Sequence, residues 1–310
     1  MATINIISPE LAQLPSLETL DLSNNKFSGQ ISSSFSKLGS SLRYLDLSQN
    51  MLSGPLPDNI FQNFQSLRYL SLSENSFEGP IPSTLLRLLD LSNNMLSGNI
   101  PTGIYTLHNL KELYLQGNQF SNSIPFDIGL CPHLLKLDLS SNYFTGEIPT
   151  TLSTLTSLIS PNLAQNMLFG EFLKWVGKLY SLQHLDVSNN ALTGALPISM
   201  GDLRSLQSIS LSNNKLTGNL PSSIIYCTGL KTLQLKGNFF NGSIPKGVFS
   251  LGLEKIDLSE NSFSDSIPPA SDQAFESLLV LDLSKNNLSG NIPPEMGLFF
   301  YFEVLKFVLQ

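Results

Sequence analysis

Leu42-Arg43-Tyr44-Leu45-Asp46-Leu47-Ser48-Gln49-Asn50-Met51-Leu52-Ser53-Gly54-Pro55-Leu56-Pro57 returns, with small changes, from one end of the chain to the other. Within it Leu45 and Leu47 stand two apart, so an extended backbone sends both to one face and Tyr44, Asp46 and Ser48 to the opposite, open face. The motif asparagine recurs at Asn25, Asn50, Asn75, Asn94, Asn118, Asn142, Asn166, Asn190, Asn214, Asn238, Asn261 and Asn286. The steps between them are 25, 25, 19, six of 24, 23 and 25 residues. One short strand per turn of chain cannot cover its own apolar side, so successive turns must stack. A buried leucine contributes roughly 1.5–3 kcal/mol, enough to offset chain ordering only when both neighbouring turns enclose it.

A period of about 20–29 residues carrying Leu-x-x-Leu-x-Leu-x-x-Asn-x-Leu is the signature of a leucine-rich repeat. The expected fold class is an α/β-type repeat solenoid, a superhelix of about twelve repeats with a parallel β-sheet on its concave face and uncapped ends. Residues 1–310 read as one solenoid: a partial leading repeat at 1–16, the repeats over 17–301, and the start of a truncated repeat at 302–310. The ladder asparagines turn inward where the chain leaves the strand, their amides satisfying stranded backbone groups; removing one is expected to cost about 1–3 kcal/mol. The glycine two residues before the Ile or Leu (Gly54 in the quoted stretch) is expected at positive φ, and its two replacements, Asn122 and Asp265, are residue types that tolerate that region. Proline then fixes an extended exit in every repeat except at Ser32 and Leu173.

Three local departures carry expectations. The 19-residue step between Asn75 and Asn94 lacks about five residues of return segment between Ile81 and Leu89, which should flatten or strain the outer arc locally. Pro161 takes an inward leucine place in the seventh strand and removes a ladder donor, so sheet continuity should be weakest there. The ends expose Leu11, Leu14 and Leu17 on one side and Phe299, Phe300, Phe302, Val304, Leu305, Phe307, Val308 and Leu309 on the other, which favours self-association.

Composition narrows the function. Charged residues are 13% and hydrophobic residues 41%, so the chain folds, and a net charge of −7 argues against nucleic acid or anionic lipid as main partner. The two cysteines, Cys131 and Cys227, sit four turns apart, roughly 19 Å at the strand spacing, too far for a disulfide, and read as free buried thiols. His108, His133 and His184 fall on three repeats with no partnered acid or nucleophile, so no catalytic residue, metal site or cofactor is expected. The first residues lack the basic and apolar runs expected of a signal peptide, and no stretch of the sequence is expected to span a membrane.

Candidate recognition residues lie on the open side. Arg43, Arg68, Arg87 and Lys111 follow the first leucine of four consecutive repeats, two of them beside Tyr44 and Tyr69, and such a column suits a carboxylate or sulfate, although its parity places it at the rim. Tyr114 and Gln116, and later Gln234 and Lys236, interrupt the Asp/Ser pattern. Asp21, Asp46, Asp90, Asp138, Asp186, Asp257 and Asp282 form an acidic row that belongs to the repeat consensus. Asn241 and Asn287 open the two Asn-x-Ser sequons, both on exposed turns.

The Leu-x-Gly-x-Ile-Pro arm closely resembles the plant-specific class of leucine-rich repeats in receptor-like kinases and receptor-like proteins, over Ile7 to Phe307. The stretches beginning at Trp175 and Leu233 look like ectodomains of the receptor-like kinase subgroup described as inactive. The resemblance implies a non-enzymatic, secreted recognition module that binds a peptide or protein ligand and a leucine-rich repeat co-receptor. It implies a parent at the extracellular side of the plasma membrane, with one membrane helix and a kinase beyond this chain. Family members begin with a signal peptide and a cysteine-paired cap, so the chain reads as a fragment of such a receptor. The alternatives are a secreted inhibitor of pathogen cell-wall-degrading enzymes, a non-functional truncated product, and an ice-binding protein using the open-face serine row.

Overall fold

The computed structural model describes residues 5–57, 63–64, 66–81, 89–102, 104, 110–269, 277–294, 296 and 303–306. Contact density divides it into two compact units, Met1–Thr145 and Gly146–Gln310. Each unit is a leucine-rich repeat solenoid carrying two parallel sheets. In the first unit the first sheet runs through Thr19–Asp21, Tyr44–Asp46, Tyr69–Ser71, Leu89–Asp90, Glu112–Tyr114 and Lys136–Asp138. In the second it runs through Ser160–Asn162, His184–Asp186, Ser208–Ser210, Thr232–Gln234, Lys255–Asp257, Val280–Asp282 and Val304–Lys306. The register aligns the inward positions: Leu20 with Leu45 and Leu70 in one unit, Leu185 with Ile209, Leu233 and Ile256 in the other. These side chains are almost fully removed from water, which is the main stabilising term of the stack.

A second parallel sheet, which the sequence pattern did not announce, forms from the residues after each ladder asparagine. In the first unit it includes Met51–Pro55, Ser76–Gly79, Met95–Gly98 and Gln119–Ser123; in the second, Met167–Glu171, Ala191–Gly194, Lys215–Asn219, Phe239–Ser243 and Ser262–Ser264. Its inward residue is often phenylalanine, and these rings stack from turn to turn, Phe120 on Phe144 at 6.2 Å and Phe240 on Phe263 at 6.1 Å. The glycine that ends this strand has positive φ throughout, from 68° at Gly242 to 92° at Gly170, and Asn122 and Asp265 adopt 62° and 66° in its place. The remaining return segments are single 3-10 turns such as Ser33–Leu38, Thr150–Thr154 and Ser222–Tyr226; no α-helix occurs among the described residues. Two strands and two turns leave too few residues per repeat for more.

The ladder asparagine ties adjacent turns. Asn50 Nδ2 donates to Leu22 O of the preceding turn at 2.9 Å and to its own Leu47 O and Ser48 O at 3.1 and 3.0 Å, while Oδ1 accepts Phe27 N–H at 3.0 Å. Asn75, Asn94, Asn118, Asn190, Asn214, Asn238, Asn261 and Asn286 repeat this set. Presenting the amide this way requires a left-handed residue immediately before it, met by Gln49 at φ 54°, Glu74 at 52° and Lys285 at 56°, among others.

Pro161 is buried in the strand Ser160–Asn162, whose register with His184–Asp186 contracts to the single pair Asn162 with Asp186, where the later pairs of that unit keep three. The return segment 82–88, which the short step was expected to flatten, lies outside the described residues, as do His108, Arg87 and residues 297–302 and 307–310. The strands around the short step remain in register, Leu70 with Leu89 and Gly79 with Leu96. At the outermost described turns Leu14 is 47% exposed and Leu305 41%. Cys131 and Cys227 are free and buried, each closing a 3-10 turn, and burial pushes both thiols up to about 11.

Candidate recognition face

The consensus aspartates of the first sheet are turn formers. Asp21, Asp46, Asp90, Asp138, Asp186, Asp257 and Asp282 each accept the backbone N–H two residues on, at 2.9–3.1 Å. Six of them also take the serine hydroxyl at 2.6–2.7 Å. Six of the serine hydroxyls are thus used within their own repeat turns.

Where the pattern changes, the first unit's open face acquires aromatic character. Tyr44 and Tyr69 occupy the same motif position one turn apart, and their rings stack with centroids 4.4 Å apart and planes 5° from parallel. Both hydroxyls donate to Asp46 Oδ2, at 3.3 and 3.5 Å. Asp46, expected to be open to solvent, is instead 8% exposed because the two rings roof it. Burial, then the Asp46 charge, raises both phenols, Tyr69 to about 12.

Two turns further on, Tyr114 stands where the consensus has Asp, and its hydroxyl donates to Glu112 Oε2 at 2.8 Å. Burial and then this hydrogen bond to the carboxylate push the Tyr114 phenol well above its ordinary range. Glu112 Oε1 pairs with Lys136 Nζ at 3.3 Å. With no Asp in this strand, the backbone N–H of Gln116 has no acceptor among the described residues. Gln116 Oε1 is likewise buried without a partner. Buried polar groups without partners are costly.

Of the basic column, Arg43 and Arg68 are exposed just before their strands, at the rim, and Arg43 Nε lies 3.5 Å from Glu18 Oε2. That exposed pair is worth about 0–1 kcal/mol. Lys111 is exposed at the same position, and Arg87 falls outside the described residues. In the second unit Gln234 and Lys236 are half-buried; Lys236 Nζ sits 3.6 Å from Glu260 Oε1, which also receives Lys285 Nζ at 2.8 Å. Lys285, then Lys236, holds the Glu260 carboxyl below its usual value. The sequons Asn241 and Asn287 are exposed on the second unit's other side, Asn241 within the second sheet. No cluster of metal-ligating side chains occurs among the described residues, and no helix among them is long and apolar enough to cross a membrane.

The stack of Asp46 under Tyr44 and Tyr69 escaped sequence reading, though both tyrosines sit one repeat apart at one motif position. Family models described as leucine rich repeat match residues 15–77 and 172–216, and a second of the same description matches 85–107, 109–131, 133–155, 252–273 and 277–299. A comparison with curated proteins finds no match. Among solved structures, the chain is similar to the Arabidopsis receptor kinase HAESA in complex with the peptide hormone IDA and the co-receptor SERK1, at 36% identity and a TM-score of 0.86 over 94% of this chain and 49% of that one. It is similar to the plant peptide hormone receptor RGFR1 in complex with RGF2, at 30% identity and a TM-score of 0.84 over 99% of this chain and 53% of that one. A Leptospira interrogans leucine-rich repeat protein matches at 32% identity and a TM-score of 0.77, over 96% of this chain and 74% of that one. The chain thus spans about half the length of the plant receptor chains it matches.

Proposed function

Because the chain belongs to the leucine-rich repeat family, we propose that it is a non-enzymatic recognition module, the ligand-binding ectodomain portion of a plant receptor kinase acting at the extracellular side of the membrane. The observation that carries this reading is the first unit's open face, where Tyr44, Tyr69 and Tyr114 replace or flank consensus residues that packing would otherwise retain. Tyrosine offers large contact area with a polar end and loses little side-chain entropy, which suits recognition of a peptide. The free N–H of Gln116 supplies a main-chain-directed donor beside it. Peptide-hormone complexes among the similar structures support the same class of ligand. A leucine-rich repeat co-receptor is the second partner, and the basic residues Arg43, Arg68 and Lys111 border the ligand at the rim. The exposed sequons Asn241 and Asn287 carry N-linked glycan when the parent is secreted.

The test is selection of a random peptide display library on the chain. Binders should lose affinity when Tyr44, Tyr69 and Tyr114 are changed to Thr, Thr and Asp. Binders insensitive to these changes would defeat the assignment of this face.

A further inference from the structure

The chain's single tryptophan, Trp175, lies in the second unit at a place unrelated to the open face. It follows Leu173, one of the two departures from the exit proline, and caps the 3-10 turn Val176–Lys178. Together with Glu147, Thr150, Glu171, Leu173 and Lys174 it lines a groove of about 290 Å³.

The charges of this groove do not balance. Glu171 is paired with Lys174, whereas Glu147 has no ion pair among the described residues. Glu147 is exposed, and its side chain runs beside Gly170, where a Cβ would come 2.7 Å from Glu147 Cγ. The Trp175 indole N–H also has no acceptor among the described residues. A half-buried aromatic face sharing a groove with an exposed carboxylate that has no ion pair among the described residues attracts a cation through both its quadrupole and its charge. A neutral ligand closing over Glu147 would desolvate that charge with nothing in return. The strand Met167–Glu171, which brings Glu171 to the groove, also exposes Met167 (50%) and Phe169 (51%).

We propose that this groove is a docking site for an arginine side chain of a partner protein or peptide, its guanidinium stacked on Trp175 and forked onto Glu147. The site is independent of the open-face reading and survives or fails without it. Because Trp175 is the only tryptophan, its emission reports occupancy directly. The full chain is titrated with a blocked triarginine peptide, with the matched tricitrulline peptide and with cellotetraose. A saturable emission change with triarginine, absent with tricitrulline, weakened about tenfold by Glu147→Gln and unaffected by Glu254→Gln, is the expected result. An equal response to tricitrulline, saturation by cellotetraose alone, no response to any probe, or an unchanged midpoint in Glu147→Gln would overturn the proposal.

Discussion

Replacing Asn118 by Ala should destabilise the first unit far more than the same change at Asn25, although both occupy one motif position. Asn118 is 7% exposed. Its Nδ2 donates to Leu91 O at 2.9 Å, Leu115 O at 3.1 Å and Gln116 O at 3.4 Å, and its Oδ1 accepts Leu96 N–H at 3.0 Å. The substitution leaves the Leu96 donor buried and unpaired, at about 1–3 kcal/mol, and removes donors from three carbonyls at a smaller cost each, so the total is about 3 kcal/mol. Asn25 is exposed and donates only to Leu22 O and Ser23 O, where water can substitute. Its loss should cost under about 1 kcal/mol. Urea unfolding followed by circular dichroism gives both values from midpoint shifts at constant slope, and amide exchange at Leu96 gives the local one. Equal costs at the two positions would refute the account of the ladder as a buried tie between turns.

Pro161→Leu should restore a ladder donor and a buried side chain, raising stability by about 1–3 kcal/mol; an unchanged or lowered unfolding midpoint would contradict this. Glu74→Gly should gain about 1 kcal/mol because the residue before the ladder asparagine is left-handed, measured against Ser76→Gly in an extended strand, which should lose stability. The raised Tyr69 phenol is neutral in the fold and ionises on unfolding, so stability is intact below the unfolded phenol value of about 10 and falls as pH rises through about 12. Tyr69→Phe should flatten that alkaline limb in melting experiments between those values. The exposed edge at Val304–Lys306 and the apolar Leu14 should make residues 1–310 self-associate, and a monodisperse monomer by light scattering would show that these turns are protected.

The regular parts of this molecule were legible because each repeat faces the same packing problem. Spacing located the inward leucines, the asparagine ladder and the positive-φ position, where Asn122 and Asp265 substitute for glycine with φ of 62° and 66°. The left-handed residue before each ladder asparagine went unread: Asn24, Asn93, Asn189, Asn213, Gly117 and Gly237 carry that tendency, but Gln49, Glu74 and Lys285, at the same position, carry no conformational signature. The second sheet arises only from pairing between turns, which a one-repeat reading does not contain. Asp46 was misplaced for a related reason: its burial depends on two rings from adjacent repeats closing over it. Tyr114 and Gln116 were identifiable as breaks in the consensus and Tyr44 and Tyr69 only as neighbours of the basic column, so the tie to Asp46 and the uncapped N–H required the register. Glu147 and Glu171 lay unnoticed, and Trp175 was read only as part of a family-like stretch, because the one local trace was the loss of a proline at Leu173.

Hydrogen exchange of the chain with and without a peptide selected from the display library tests the recognition claim most directly. The account predicts protection concentrated at Tyr44–Asp46, Tyr69–Ser71 and Glu112–Gln116, with the second sheet unchanged. Protection confined to the second sheet, or none on the open face of the first unit, would contradict it.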